Sequence, residues 1–438
     1  MGVTRSLPRQ VALSKRGKKL EEEIAAFREW RKTQARDVTI DWSIHTVSML
    51  LGWFAWEHGI PEDHISLQDL FPFTRIHYDE SEFEHCESPM LESVIAEKKA
   101  AKIAKAESDL LIERIQAYFN AFPDTKSITR MSYLTHYINF ASWVYREETQ
   151  AEDFSDIPMV CRIRDLRLRY KKLSKNESPR VPYSLKSVEW PELFRVALIL
   201  KKEADTLRKR NHTKRPETSV GASIQKLIIF SLFLVMPPRR SRVIVELSLG
   251  RTLQKGRVKA GIGFVPETIL AKGENPVWCL VLDPKDYKTG DKYGSQAFEI
   301  NNIPYGDGTF FYDYLNQWIN YYRPLFQPNH NYVFLKTKFS VGDPPKRQTI
   351  YDIVQHATLR VLGIPVAPKE IRKIFVSYIS QRHDLSEADM ESAARAMGHS
   401  RKTQMDVYDQ VTSEIRLATA QDLTSRLWQG VQAQQKPN

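Results

Sequence analysis

The sequence predicts a mainly α protein with one small β-sheet in its C-terminal half, and three observations carry that reading. Apolar residues recur at helical spacing through most long segments, as in Leu20, Ile24, Phe27 and Trp30. Two runs of β-branched and aromatic residues, 277–282 and 296–300, flank Lys288-Thr289-Gly290 and read as a β-hairpin or the edge of a small sheet. Hydrophobic residues make up 42% of the 438-residue chain, which suits two or three globular domains and excludes a disordered protein.

In the N-terminal half the periodicity gives helices over 18–34 and 39–58, the second with Ile40, Ile44, Val47, Leu51 and Phe54 on one face and Gly59-Ile60-Pro61 ending it. Residues 91–107 are rich in Lys, Glu and Ala with little apolar periodicity, so they read as a solvated helix inside a charged insertion near 80–108. A third packing helix follows over 110–122. Asp124 is placed to cap a fourth over 125–146, with Met131, Leu134, Ile138, Ala141 and Tyr145 as its buried stripe. Residues 18–160 are therefore expected to be a helical domain preceded by a basic arm, 1–17.

Between the halves, 161–185 carries Arg162, Arg164, Arg167, Arg169, Lys171, Lys172 and Arg180. A basic interdomain linker of this kind can follow a phosphate backbone, each contact releasing counterions; the plainer alternative is a solvated connection. The run 208–215 is similar and reads as a loop between two helices.

The C-terminal half continues with helices over 190–207 and 223–236, the latter delivering Pro237-Pro238-Arg239-Arg240-Ser241-Arg242 ahead of the apolar segment 243–249. An aromatic-rich helix at 312–322 and a short segment at 332–335 read as core. Helices at 350–362, 369–379 and 385–397 follow, and 415–428 is amphipathic.

Charge and cysteine content narrow the function. Lys and Arg number 64 against 53 Asp and Glu, a net charge of +11, which favours a polyanionic partner. Cys86, Cys161 and Cys279 are far apart and form no Cys-x-x-Cys pair, so neither a disulfide framework nor a zinc site is suggested. The longest apolar run, 227–236, is about half the length of a membrane span. No charged-then-apolar leader opens the chain. The expectation is a soluble cytoplasmic protein with no membrane partner.

One constellation suggests chemistry. Lys369 and Arg372 stand at i and i+3, one face of a helix, where they can grip one phosphate together. Gly398-His399 follows, and Tyr408 comes nine positions after His399, offering a hydroxyl able to form a covalent phosphoryl intermediate. These boxes resemble the C-terminal active-site motifs of the tyrosine recombinase (phage integrase) family, which read His-or-Lys-x-x-Arg, then Gly-His, then Tyr. Lys369 fills the place more often held by histidine.

The resemblance covers 181–409 closely and the N-terminal half by helix order. It implies a helical core-binding bundle and a catalytic domain over 186–410 that together clamp DNA. The tail at 411–438 would then dock on a neighbouring protomer or pack on its own domain. In the family the first catalytic arginine follows an apolar helix in a turn, which points to Arg239 with Arg240 as close competitor. The general-acid lysine lies in a β-turn, which points to Lys288, with Lys285 and Lys292 as alternatives. Tyr408 would be the nucleophile, with Arg372, His399 and Lys369 around the phosphate, and no metal, cofactor or nucleotide would be needed. The partners implied are double-stranded DNA, three further copies of the chain in a tetramer on two duplexes, and accessory DNA-bending or directionality proteins. Integration or excision of a mobile element, at the nucleoid of a prokaryotic host, would be the role. The same chemistry serves type IB topoisomerases, and a relative without cleavage activity would bind DNA alone.

Overall fold

The apolar stripes of the N-terminal half condense into five helices: α1 (Lys18–Lys32), α2 (Asp37–His58), α3 (Pro89–Ala121), α4 (Ser127–Val144) and α5 (Pro158–Asn176). The structure, a computed structural model, describes residues 16–178, 181–382 and 384–402. Two compact units divide the chain between 178 and 179. In the first unit Leu20, Ile24 and Phe27 of α1 are buried, and the Phe27 ring stacks on Phe140 of α4 with centroids 3.8 Å apart.

Two expectations for this unit change. The charged stretch 91–107 is no separate insertion helix; it is the first half of α3, which runs unbroken for 33 residues. Its buried positions include Ala100, Ala104, Ser108, Leu111 and Ile115, spaced at three and four. The stripe was hidden because small residues carry its first half, where a close neighbour needs room rather than bulk. The basic segment likewise is no linker up to residue 176. Met159, Val160, Ile163 and Leu166 are buried, so α5 packs on α3 and α4 inside the first unit. Its apolar stripe is short and interspersed with arginines, which mask it in the sequence.

Asp124 does not cap α4. The N-cap is Lys126, and Glu177, just past α5, takes over: its carboxylate accepts from the Ser127 backbone N–H at 2.9 and 3.1 Å and from the Ser127 hydroxyl. Glu177→Ala is therefore expected to cost about 1 kcal/mol in urea unfolding. Asp124→Ala should change stability by less than about 0.5 kcal/mol. Equal losses from the two variants would reject this capping assignment.

The second unit begins with α6 (Trp190–Asp205), α7 (Glu217–Ser231) and the short α8 (Ser241–Val245). A sheet follows: β1 (Leu253–Lys259), β2 (Gly263–Pro266), β3 (Val277–Leu282) and, after the single-turn helix α9 (Gly290–Tyr293), β4 (Gln296–Glu299). Its order is β2-β1-β3-β4 with every pairing antiparallel. The expected β3–β4 hairpin is present, with Leu280 opposite Phe298. Strand β1 gave no sequence signal because, apart from Leu253 and Gly256, it is only partly covered and largely polar, and β2 gave none because it is four residues long and opens on an exposed glycine. The remaining helices are α10 (Phe311–Gln317), α11 (Arg347–Leu362), α12 (Pro368–Ser380) and α13 (Glu387–Ala396).

The core of this unit lies between α6, α7, α10, α11 and the sheet. The aromatic helix is part of it, as its residues predicted: Phe311, Tyr314, Leu315 and Trp318 are buried, and the Trp318 indole donates to the Val333 carbonyl at 2.9 Å. The protein is thus mainly α with a small antiparallel sheet. No described helix is long and apolar enough to cross a membrane. For the site, what matters is that α7 runs into a buried stretch, 232–236, which holds the chain rigidly as it presents Pro238-Arg239-Arg240.

Candidate active site

Arg372 is the centre of the site. Helix α12 has a strongly apolar face, and Arg372 lies on that buried side with Ile371 and Ile374, only 5% exposed. A buried guanidinium must find acceptors. Its Nη1 donates to the Pro238 carbonyl at 2.8 Å, and its Nη2 donates to the Met397 carbonyl at 3.2 Å and to Nε2 of His399. One side chain therefore joins the segment that presents Arg239 to the segment that ends in His399.

The arginine also fixes the chemistry of His399. A guanidinium has no acceptor, so Nε2 accepts and the imidazole carries its proton on Nδ1. Burial, then the charges of Arg372 and Arg240, push the His399 pKa down to about 3, so the ring is neutral at pH 7. The turn before it needs glycine: Gly398 has φ +70°, and a Cβ there would come within 3.2 Å of the Thr289 hydroxyl.

Arg239 is 2% exposed. Both terminal nitrogens donate to Oε1 of Gln296, at 3.0 and 3.1 Å, and its guanidinium carbon stands 4.3 Å over the Phe298 ring. Among the described residues no carboxylate pairs with it. Its pKa is pushed down to about 9, by burial first and then by Arg372 and Arg240, with Tyr287 opposing. Arginine stays charged at neutral pH even so. The shift therefore reads as positive charge gathered in a dry site with neutral partners. That arrangement is complementary to an anion.

The lysine turn approaches the same place. Lys288 lies in the β3–β4 link, exposed, and the next residue, Thr289, donates its hydroxyl hydrogen to the Gly398 carbonyl at 3.0 Å. Gly290 is required there because a Cβ would stand 1.8 Å from the Pro284 carbonyl oxygen. The alternatives share this link. The backbone carbonyl of Lys285 accepts from Arg242 at 3.2 Å, and Lys292 lies 5.5 Å from the centre of the Tyr293 ring. Arg240, the competitor for the first arginine, is half-buried beside Gly398 and His399, while Arg239 is the one buried with Arg372.

Other expected residues are not gathered in. Lys369 opens α12 with its side chain 67% exposed and Nζ 3.7 Å from Glu370, so it shares the helix with Arg372 without sharing its surroundings. In the first helical turn a long flexible side chain reaches water at little cost. Tyr408, Arg180 and the amphipathic stretch 415–428 lie outside the described residues, as do 1–15.

On α5, three of the expected DNA contacts have internal partners. Arg162 pairs with Asp109, Arg164 donates to the Asp153 carbonyl, and Arg167 Nε donates to Thr135 at 2.9 Å. Arg169, Lys171 and Lys172 are exposed. Gln296 and Thr289 were missed as contributors. Each acts through a partner far away in the chain, and only the Lys-Thr-Gly turn had drawn attention to either.

No family model matches the chain, and no curated protein does. Among solved structures the chain is similar to the XerH site-specific recombinase, crystallised bound to palindromic difH substrate as a post-cleavage complex. Identity is 13%, the match covers 87% of this chain and 97% of that one, and the TM-score is 0.37. So loose a likeness decides nothing about chemistry, which has to be argued from the residues themselves.

Proposed function

We propose that this chain cuts and rejoins DNA as a tyrosine recombinase. The observation that carries the reading is the convergence of Arg239, Arg372 and His399 into one buried cationic site, in which Arg239 is held by the neutral Gln296 amide and Arg372 donates to the Pro238 and Met397 carbonyls and to His399. In this reading the two arginines hold the non-bridging oxygens of a phosphodiester and stabilise the added charge of the pentacoordinate transition state. Neutral His399 supplies a further hydrogen bond. Tyr408 gives up its phenolic proton to solvent water and its oxygen bonds to phosphorus, while the bond from phosphorus to the 5′-oxygen breaks. Lys288, or Lys285 or Lys292 from the same link, gives its proton to that oxygen. Lys369, near the start of α12, acts as an outer cation. The 3′-phosphotyrosyl link keeps the energy of the phosphodiester, so a 5′-hydroxyl from another strand reverses the step without metal or nucleotide.

Double-stranded DNA is then the substrate, and the exposed Arg169, Lys171 and Lys172 of α5 suit contacts with its backbone. Exchange between two duplexes calls for a tetramer. Accessory DNA-bending or directionality proteins, and integration or excision of a mobile element, complete the proposal.

The test is covalent capture. Nicked duplexes with 5′-bridging phosphorothiolates are incubated in EDTA with wild-type protein and with Tyr408→Phe, then run on a denaturing gel. A protein–DNA adduct in the wild type alone is the expected result. An adduct that persists in Tyr408→Phe means that another residue attacks. DNA binding with no adduct in either protein leaves a binding protein without cleavage. Holliday-junction formation between two marked duplexes then separates a recombinase from a topoisomerase, which would only relax supercoils.

A further inference from the structure

A cavity of about 600 Å³ opens in the second unit between α6, α7, α11 and the loop 336–340. None of Arg239, Arg240, Lys288, Arg372 or His399 lines it. The volume falls within the roughly 300–1,000 Å³ typical of small-molecule sites. Its floor is firm: the buried Gln225 amide donates to the Leu335 carbonyl at 3.0 Å and accepts from the Leu335 N–H at 2.9 Å, fixing the loop to α7.

The walls are cationic beyond what their carboxylates balance. Lys226, Lys336, Lys338, Lys346 and Arg360 face two acidic residues, Glu203 and Asp352. Glu203 pairs with Arg360 at 2.5 Å, Asp352 accepts from Gln348 at 2.7 Å, and Lys336 reaches Asp343 at 3.3 Å. Lys226, Lys338 and Lys346 form no ion pair among the described residues. Burial, then the charge of Lys338, hold the Lys226 ammonium below its ordinary pKa, so this wall repels itself. Beside the cations stand Leu200, Ile353 and Ala357, an apolar surface of no use to a bare ion. At the cavity lies Phe339, 91% exposed, followed by Ser340; their φ values of +46° and +51° put two successive non-glycine residues in the left-handed region. Such strain persists only where the surroundings impose it, and it concentrates at ligand sites.

We propose that this cavity is a second anion site, which takes a small phosphate-bearing molecule with an apolar or aromatic body, of mononucleotide size. Lys226, Lys338 and Lys346 meet the phosphate, and Phe339 covers the body. Concave walls with an apolar side favour a small molecule over a duplex backbone, which presents a convex row of phosphates with no apolar part. The inference stands apart from the cleavage chemistry.

Isothermal titration of the full chain with adenosine 5′-monophosphate and with inorganic phosphate tests it. The nucleotide is expected to bind at least about tenfold more tightly than phosphate, with affinity falling as salt rises. The double variant Lys226→Ala/Lys338→Ala should lose at least about tenfold for both probes. Phe339→Ala should weaken the nucleotide alone, by about threefold to tenfold. Thermal unfolding of each variant at the wild-type temperature certifies that the losses are local; Lys346→Ala gives the same reading should the double variant unfold. Absence of binding by either probe at about 10 mM, or undiminished binding in both lysine variants, overturns the proposal. So does displacement of the nucleotide by a short duplex with an equal loss of duplex affinity in the double variant, because the lysines would then serve DNA.

Discussion

Arg372→Ala is expected to lower the rate of covalent adduct formation at least about 10³-fold in single-turnover assays. Loss of one preorganised donor to a developing oxyanion typically removes 10²–10³ in rate. Arg372 does more than donate: its guanidinium also bonds the Pro238 and Met397 carbonyls and His399 Nε2, so its removal loosens the segments that position Arg239 and His399. Arg372→Lys should recover little, remaining about 10²-fold down, because one ammonium cannot reproduce a planar fork across three acceptors. Stability need not fall in proportion. Buried carbonyls left without a donor cost about 1–3 kcal/mol each, while removing a cation next to buried Arg239 relieves repulsion. Urea unfolding of the same variants separates the two effects. A variant that is folded and cleaves within tenfold of wild type would sink the assignment of Arg372.

Acid should destabilise the free protein through His399. Its folded pKa is pushed down to about 3, while the unfolded value is near 6.5. Between these values the unfolded chain binds the proton more readily, so stability rises with pH across this window and is lost as pH falls below about 6.5. From pH 8 to pH 5 the contribution amounts to about 2 kcal/mol. Urea unfolding at both values should show that much less pH dependence in His399→Gln than in wild type. Identical pH dependence in the two proteins would show that His399 is not held neutral by burial and its arginine neighbours. A phosphate held by Arg239 and Arg372 would partly cancel the field that depresses the histidine, so bound duplex is expected to reduce the same acid penalty.

The sequence made legible what repeats locally and concealed what depends on distant partners. Helices such as α6 and α12 announce themselves because their apolar residues are large and regularly spaced. From sequence, helix α3 reads as two pieces because Ala100, Ala104 and Ser108 bury without looking apolar, and α5 reads as a linker because arginine dominates its composition. At the site, Arg372 and His399 stand out by spacing, while Arg239 and the Lys288 turn follow only from the family resemblance, with Arg240, Lys285 and Lys292 left as alternatives. The amide that holds Arg239 does not stand out, since Gln296 lies 57 residues away and no pattern in one strand says which side chain it will meet. Lys369 shows the opposite failure. Helical spacing put it one turn from Arg372, but spacing alone does not fix how far around the helix burial extends.

The bonds from Arg372 to Pro238 and to His399 span 134 and 27 residues of chain. A polypeptide still emerging from the ribosome therefore lacks this cationic cluster until His399 has been made and the whole second unit has closed. Under the proposed function, truncated or proteolysed forms that keep the basic α5 are expected to adhere to DNA without nicking it. In the proposed reaction, which leaves a broken strand attached to the protein, such late assembly would be a safeguard: competence to cut would arrive only with the complete fold that can also rejoin.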